Sequence, residues 1–290
     1  MRILILGGSG MLGHRLWQYL PARFPDIYTT IHKDSNRYNK YNLFNNKEQV
    51  IDNIDAVDFS VVEKVLNKIR PDVILNCIGI TKRRDEINNI ALCINLNSLF
   101  PHNLANWGEI NKAKIITFST DCIFDGKTGN YTEESLPSAS DIYGKTKALG
   151  ELRGANTLTL RSSFIGPELF HGSELLEWFL AQAGPVKGFK NAIYSGLTTL
   201  ELCRIVEKIL VSYPQANGLY NVSSNPITKF DLLTLIKKKM NLSVEIVPDE
   251  TFYCDRSLDS SRFRKEFNYT PPSWEAMVEE LSAELKRRER

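Results

Sequence analysis

The stretch Ile3-Leu4-Ile5-Leu6-Gly7-Gly8-Ser9-Gly10-Met11-Leu12-Gly13 decides the fold. Four apolar residues in a row, with no polar alternation, describe a strand buried on both faces. Glycines break the run, and Met11 to Leu20 then has helical character as far as Pro21. Gly7, Gly10 and Gly13 form G-x-x-G-x-x-G across the turn. Glycine permits the tight turn, lets backbone approach a pyrophosphate, and lets the helix pack closely on the sheet. The helix N-terminus then faces that position with unpaired N–H groups and partial positive charge. Alone, such a triplet is a weak signal, because a plain strand-to-helix turn also uses glycine. Its place after the first strand of an alternating pattern makes it a dinucleotide site.

That pattern continues downstream. Ile27 to Ile31 reads as a strand, residues 33–53 as a polar, Asn-rich loop with a helical turn, and Phe59 to Ile69 as a helix. Val73 to Cys77 is a strand, Ile90 to Trp107 a long helix, and Ile115 to Ser119 a strand. Tyr143 to Leu152 is helical and Leu158 to Arg161 extended. Strands alternating with helices signify a parallel sheet with helices on both faces. After Ser163 the pattern loosens, with helices near 173–183, 199–212 and 229–240, a short strand at Tyr220-Asn221-Val222 and a last helix from Trp274. The expected fold is α/β: a Rossmann-type doubly wound parallel sheet with a smaller C-terminal α/β substrate-binding lobe. Residues 1–165 are expected to form the NAD(P)-binding domain, and 166–290 a lobe interleaved with it.

Composition excludes several classes. With 42% hydrophobic and 24% charged residues the chain is neither disordered nor fibrous. Thirty-six basic against 34 acidic residues, net +2, give no drive toward nucleic acid. The basic tail Lys286-Arg287-Arg288-Glu289-Arg290 reads as a solvated helix end. The five cysteines are scattered without a CxxC pair, so neither a disulfide framework nor a metal site is expected, and a reducing cytoplasm fits. The apolar N-terminal run stops at Gly7, too short for a signal peptide, and no stretch is long enough for a membrane span.

An NAD site commonly carries a carboxylate at the end of the second strand, for the ribose hydroxyls. Here His32 and Lys33 stand there, with Arg37 further on. A cation attracts a 2′-phosphate where a carboxylate repels it, so NADPH is favoured, with NADH as the alternative because Asp34 lies close by. Lys33 reads nearly as well as an ordinary surface lysine.

Tyr143 and Lys147 lie four apart on a helix and share a face. A phenol holds its proton firmly at neutral pH, and a neighbouring ammonium stabilises the phenolate. The tyrosine then serves as proton donor to a carbonyl oxygen while hydride reaches the carbon. Y-x-x-x-K is common by chance; the glycine loop and Ser119-Thr120-Asp121 after an apolar strand give it context. Strand carboxyl ends line the ligand crevice of such sheets, which places Thr120 to bond the same carbonyl.

These three elements, in this order, resemble the extended short-chain dehydrogenase/reductase superfamily. The longer wording is narrower: Ser119 to Gly126, Gly129 to Glu134, Tyr143-Gly144-Lys145-Thr146-Lys147 with Gly150-Glu151 after it, Leu160 to Ser163, Pro71 to Asn76, Arg256 to Asp259 and Pro272-Ser273-Trp274. As a set it resembles the dTDP-4-dehydrorhamnose reductase family over nearly the whole chain. The resemblance implies reduction of the 4-keto group of a nucleotide-linked 6-deoxy-hexulose by NADPH or NADH, for cell-surface polysaccharide synthesis. It implies Thr120, Tyr143 and Lys147 as the catalytic set and Asp121 against the sugar. It implies Gly7, Gly10, Met11, Leu12 and Gly13 at the pyrophosphate, Asp55 and Ala56 beside the adenine, and the backbone of Cys77, Ile78 and Gly79 along the cofactor.

Cys122 replaces the family's usual Tyr or Val, Cys77-Ile78-Gly79 its Ala-rich run, and Thr81-Lys82-Arg83-Arg84 is unusually basic. These positions belong to the expected sugar pocket, so a UDP-2-acetamido-2,6-dideoxy-hexulose competes with the dTDP sugar. Lys82 to Arg84 meet a diphosphate or sit in solvent. Two further readings stand beside the reductase: a non-catalytic dinucleotide-binding regulatory subunit, and an epimerase of the same superfamily. Retention of Thr120, Tyr143 and Lys147 favours the enzyme, as monomer or homodimer. Dehydration is disfavoured, because Asp121 is followed by Cys122 and not by a second carboxyl.

Overall fold

The computed structural model describes residues 1–170 and 172–288; Glu289 and Arg290 of the basic tail lie outside the described residues. In chain order the first half contains β1 (Ile3–Leu6), α1 (Met11–Tyr19), β2 (Ile27–Thr30), β3 (Val50–Ile51), α2 (Phe59–Ile69) and β4 (Val73–Asn76). It continues with α3 (Ile90–Cys93), α4 (Phe100–Asn111), β5 (Lys114–Ser119), α5 (Ile142–Leu149) and β6 (Thr157–Arg161). There follow β7 (Phe164–Ile165), α6 (Leu175–Leu180), β8 (Val186–Tyr194), β9 (Leu197–Thr198), α7 (Thr199–Ser212) and β10 (Gly218–Asn221). The chain ends through β11 (Ile227–Thr228), α8 (Lys229–Met240), β12 (Ile246–Asp255), α9 (Ser261–Glu266) and α10 (Trp274–Arg288).

Seven strands form the central sheet in the order β3-β2-β1-β4-β5-β6-β10. β1 pairs in parallel with β2 on one side and β4 on the other, with Leu6 opposite Thr30 and Asn76. Strand order therefore reverses between β1 and β4, and ligands of such sheets bind outside the carboxyl ends at that point. Every residue of β1 and β4 is buried, as the unbroken apolar runs require. Val62, Val65, Leu66 and Ile69 fall on one face of α2 and pack with Leu4, Leu6, Ile74, Phe100, Leu104 and Trp107. Each such side chain, taken fully from water, contributes about 1.5–3 kcal/mol. Asp58 caps α2 by accepting from the Ser60 N–H, and Arg70 closes it in the left-handed conformation just before Pro71.

The chain divides into two compact units. One gathers Met1–Ser119, Asp141–Leu160 and Cys203–Leu219, and the other Thr120–Ser140, Arg161–Leu202 and Tyr220–Arg290. In the first, α1 and α7 are tied by Tyr19 Oη, which donates to Glu207 at 2.6 Å. In the second, β8 is the centre of a three-stranded sheet in the order β11-β8-β12, antiparallel to β11 and parallel to β12. Rings of Phe263 and Phe267 stack at 4.4 Å, and Tyr220 meets Phe267 edge-on at 5.1 Å.

Three features differ from the sequence reading. The polar segment 33–53 holds the expected helical turn, as the 3-10 helix Ser35–Tyr41, but also an unexpected sheet strand, β3. The helix expected from Ile90 to Trp107 contains a π-helical turn, Ile94–Leu99, between α3 and α4. β8 and β12 lie in stretches without a strand pattern, where no strand is expected. Among the described residues no helix is long and apolar enough to cross a membrane, and no group of His, Cys, Asp and Glu is arranged to hold a metal ion.

Candidate active site

The first unit assembles a cradle at the carboxyl ends of β1, β2, β3 and β4. Gly7 has φ +81°, and a Cβ there would stand 3.0 Å from Ile78 Cγ1 and 3.2 Å from the Cys77 carbonyl oxygen. A side chain would fill the space between the loop and the strand end, so the glycine is sterically required. A Cβ on Gly13 would lie 2.1 Å from the Gly7 carbonyl oxygen, which is the close helix-to-strand approach. Met11 and Leu12 open α1, whose N-cap, Gly10, offers no side chain to its first N–H groups. Those donors face outward for an anion. A pyrophosphate fits this loop by shape and by charge.

The remaining cofactor candidates border the cradle. Cys77 N donates to the Leu6 carbonyl at 3.0 Å and Ile78 N to Asn76 Oδ1 at 3.1 Å, fixing Cys77-Ile78-Gly79 beside the loop. His32 and Lys33 are exposed immediately beyond β2. Asp34 is committed to capping the 3-10 helix, accepting from Asn36 N at 2.8 Å. The Ile54 N–H bonds the Ile31 carbonyl at 3.1 Å and so brings Asp55 and Ala56 to the end of β2. Ala56 is buried, and Asp55 is exposed with its carboxylate on the Val57 N–H.

Tyr143 and Lys147 sit one turn apart on α5, which Asp141 caps by accepting from Gly144 N at 2.9 Å. Lys147 Nζ donates to the Phe118 carbonyl of β5 at 2.7 Å and lies 3.9 Å from where a Gly79 Cβ would be. The lysine thus reaches from α5 to the Cys77–Gly79 segment. Desolvation lowers its pKa from 10.5 to about 8, against the opposing pull of Glu151. Burial pushes the neighbouring Cys77 thiol well up, so it stays neutral. Lys82 of the basic segment pairs with Asp141 at 2.8 Å, and Arg84 with Glu86 at 3.8 Å. Lys82 therefore braces the cap of the helix that carries Tyr143.

Thr120, Asp121 and Cys122 begin the second unit and form the first turn after β5. Thr120 caps the 3-10 turn Asp121–Ile123, accepting from Cys122 N at 3.1 Å. Asp121 is buried, and Thr120 Oγ1 lies 3.3 Å from its carboxylate. Burial, then Asp121, raises the Cys122 thiol to about 12, and Arg256 Nη1 stands 3.7 Å from its sulfur. Arg256 Nε also donates to the Phe124 carbonyl at 2.8 Å. Tyr194 lies in this neighbourhood: burial, then Asp121, Cys122 and Glu174, hold its phenol well above the ordinary range.

Several supporting residues escape the sequence reading. His14 is fully buried, with Nδ1 2.8 Å from the Gly10 carbonyl. A carbonyl only accepts, so Nδ1 carries the proton and holds the glycine loop. Asn97, buried in the π turn, accepts from Ile80 N at 2.8 Å and donates to the Ile80 carbonyl at 3.1 Å and to Thr146 Oγ1 at 3.2 Å. Ser98 Oγ donates to the Thr146 carbonyl at 2.8 Å. The π turn thereby fixes α5 and the Gly79–Ile80 loop together. The signal available in the sequence is two adjacent polar residues, Asn97-Ser98, on an otherwise apolar helix face.

Comparison with known proteins identifies the family. The profile of the RmlD substrate binding domain family matches residues 1–176. The chain is 24% identical to dTDP-4-dehydrorhamnose reductase of Aggregatibacter actinomycetemcomitans, over 97% of this chain and 98% of that one. It is 27% identical to methionine adenosyltransferase 2 subunit beta of Pongo abelii over 52% of this chain, spanning 41% of the subunit's length. The crystal structure of dTDP-4-dehydrorhamnose reductase from Bacillus anthracis in complex with NADP superposes with a TM-score of 0.79 at 24% identity, covering 98% of this chain and 99% of that one. With the profile matching more than half of its length, and the glycine cradle and α5 lying inside the matched region, the chain belongs to the RmlD substrate binding domain family.

Proposed function

We propose that this protein is an NAD(P)H-dependent reductase that acts on the 4-keto group of a nucleotide-linked 6-deoxy-hexulose. The observation that carries the reading is Lys147, which extends from the Tyr143 helix to the Phe118 carbonyl and to Gly79 at the rim of the glycine cradle. NADPH is the favoured cofactor, since Lys33 is an exposed cation at the end of β2 and Asp34 is occupied as a cap. The reduced nicotinamide supplies the hydride. Gly7 to Gly13 and the first N–H groups of α1 bind the pyrophosphate, with Asp55 and Ala56 beside the adenine. Tyr143 gives its phenolic proton to the carbonyl oxygen as the carbon is reduced, and the Lys147 ammonium stabilises the phenolate left behind. Thr120 supplies a second hydrogen bond to that oxygen, and Asp121 and Cys122 contact the sugar. Two substrates suit the reading, dTDP-4-dehydrorhamnose and a UDP-2-acetamido-2,6-dideoxy-hexulose.

The test is consumption of NADPH, followed by its near-ultraviolet absorbance, with each sugar nucleotide made in situ. Oxidation with one of them names the sugar class. A second reading, a dinucleotide-binding regulatory subunit, draws on the similarity to methionine adenosyltransferase 2 subunit beta. Tight NADPH binding without turnover of either sugar would favour it over the reductase.

A further inference from the structure

Glu151 follows α5 by two residues and lies four positions beyond Lys147 in the sequence. Its carboxylate is held: Ser119 Oγ, at the last residue of β5, donates to Glu151 Oε1 at 2.6 Å. Ser119 is 5% exposed, so the donor end of this hydrogen bond is shielded from water. The preceding residue of β5, Phe118, supplies the carbonyl that receives the Lys147 ammonium at 2.7 Å. Two adjacent residues of one strand end thus anchor the α5 lysine and the carboxylate that lies just beyond that helix.

The groups around the ammonium are few in kind. Cys77 approaches from the end of β4, and its thiol stays neutral. Tyr143 precedes it by a turn on α5. The π turn packed against α5 contributes Asn97 and Ser98, neither of which titrates. Phe118 contributes a carbonyl dipole. Glu151 is the source of full negative charge acting on Lys147 in this set.

We infer that Glu151 is a positioning residue for the proposed reduction: held by Ser119 next to the Phe118 carbonyl that receives the Lys147 ammonium, it is the counter-charge to that lysine. This rests on Tyr143 and Lys147 being the catalytic pair. The carboxylate neither touches the substrate nor transfers a proton; it acts through the lysine. Without it the desolvated ammonium loses its opposing support, and the tyrosine loses the cation beside it. The Gly150-Glu151 pair at the end of the Tyr143 segment then has a chemical reason beyond helix termination.

The test titrates Lys147 directly, in the cofactor-free protein. Lysines labelled at Cε are followed by carbon NMR across pH, with Lys147→Arg assigning the resonance. Glu151→Gln preserves shape and can still accept from Ser119. It is expected to lower the Lys147 midpoint by about one pH unit, while Lys114, which titrates at about 8 on β5, stays in place as an internal control. Ser119→Ala, which removes one hydrogen bond to the carboxylate, is expected to shift the same midpoint down by a smaller amount. The alkaline limb of kcat moves with it in Glu151→Gln, and KM for NADPH does not. A Lys147 midpoint unchanged in Glu151→Gln overturns the inference. Absence of turnover in the unsubstituted protein would instead count against the reductase reading and leave the titration standing.

Discussion

At the scale of single residues, the proposed chemistry rests on what surrounds one phenol and one ammonium. Removing the Tyr143 hydroxyl removes the proposed proton donor. Tyr143→Phe is therefore expected to lower kcat by about 10²–10⁴-fold and to leave the NADPH dissociation constant, measured by fluorescence titration, as it was. Lys147 sets the pH response. Its folded pKa of about 8 lies below the ordinary 10.5, so turnover is expected to fall as pH rises through about 8, when the cation beside the phenolate is lost. A pH–kcat profile flat to pH 10 would contradict the role. Stability moves in the opposite sense. Between about 8 and 10.5 the unfolded chain holds more protons than the folded one, so this group makes stability increase with pH there. Lys114, also lowered to about 8 by burial, adds to that trend, which is why activity and not stability isolates Lys147.

At the scale of elements, α5 matters more than its eight residues suggest, because both its cap and its packing are shared. Asp141 accepts the Gly144 N–H and pairs with Lys82. Asp141→Ala is expected to cost about 1–2 kcal/mol, mostly from the lost cap, since a half-exposed ion pair adds at most about 1 kcal/mol. Urea denaturation reads the loss, and a smaller fall in kcat than in Tyr143→Phe should accompany it. Much of this was legible in the residues. The unbroken run Ile3–Leu6, the helical spacing of Val62, Val65, Leu66 and Ile69, and the Tyr143–Lys147 spacing are local patterns, and the structure keeps them. What stayed hidden depends on distant partners. β12 contains Pro248, Asp249 and Glu250 and lies at a sheet edge, where proline is tolerated and apolar alternation is not needed. β8 interleaves exposed Lys187, Lys190 and Asn191 with its buried residues, and two of these fall side by side, so its period is masked. The contacts of His14, Asn97 and Glu151 with Gly10, Ile80 and Ser119 likewise follow from tertiary packing, and no spacing rule announces them.

At the scale of the whole molecule, the second unit is organised around a charge kept from water. Arg161 is fully buried, donates to Asn221 Oδ1 at 3.1 Å and to the Thr132 carbonyl at 3.4 Å, and lies 5.2 Å from the Phe124 ring centre. Asn221 N in turn donates to buried Glu133 at 2.9 Å, and Phe124 stacks on Tyr131 at 4.0 Å. Arg161→Met removes the partner of the buried Asn221 Oδ1 and is expected to destabilise by about 1–3 kcal/mol, read from the denaturation midpoint; a change below about 0.5 kcal/mol, the range of neutral surface substitutions, would show the network to be dispensable. The division of the chain has its own consequence. Each unit is drawn from three separated stretches, and the one that holds the glycine cradle is completed only by Cys203–Leu219. A ribosome must therefore release most of the polypeptide before that unit has all of its parts. The nascent protein must wait with the edge of its main sheet unpaired, and no single stop codon can deliver the cradle's unit whole without also delivering much of the other.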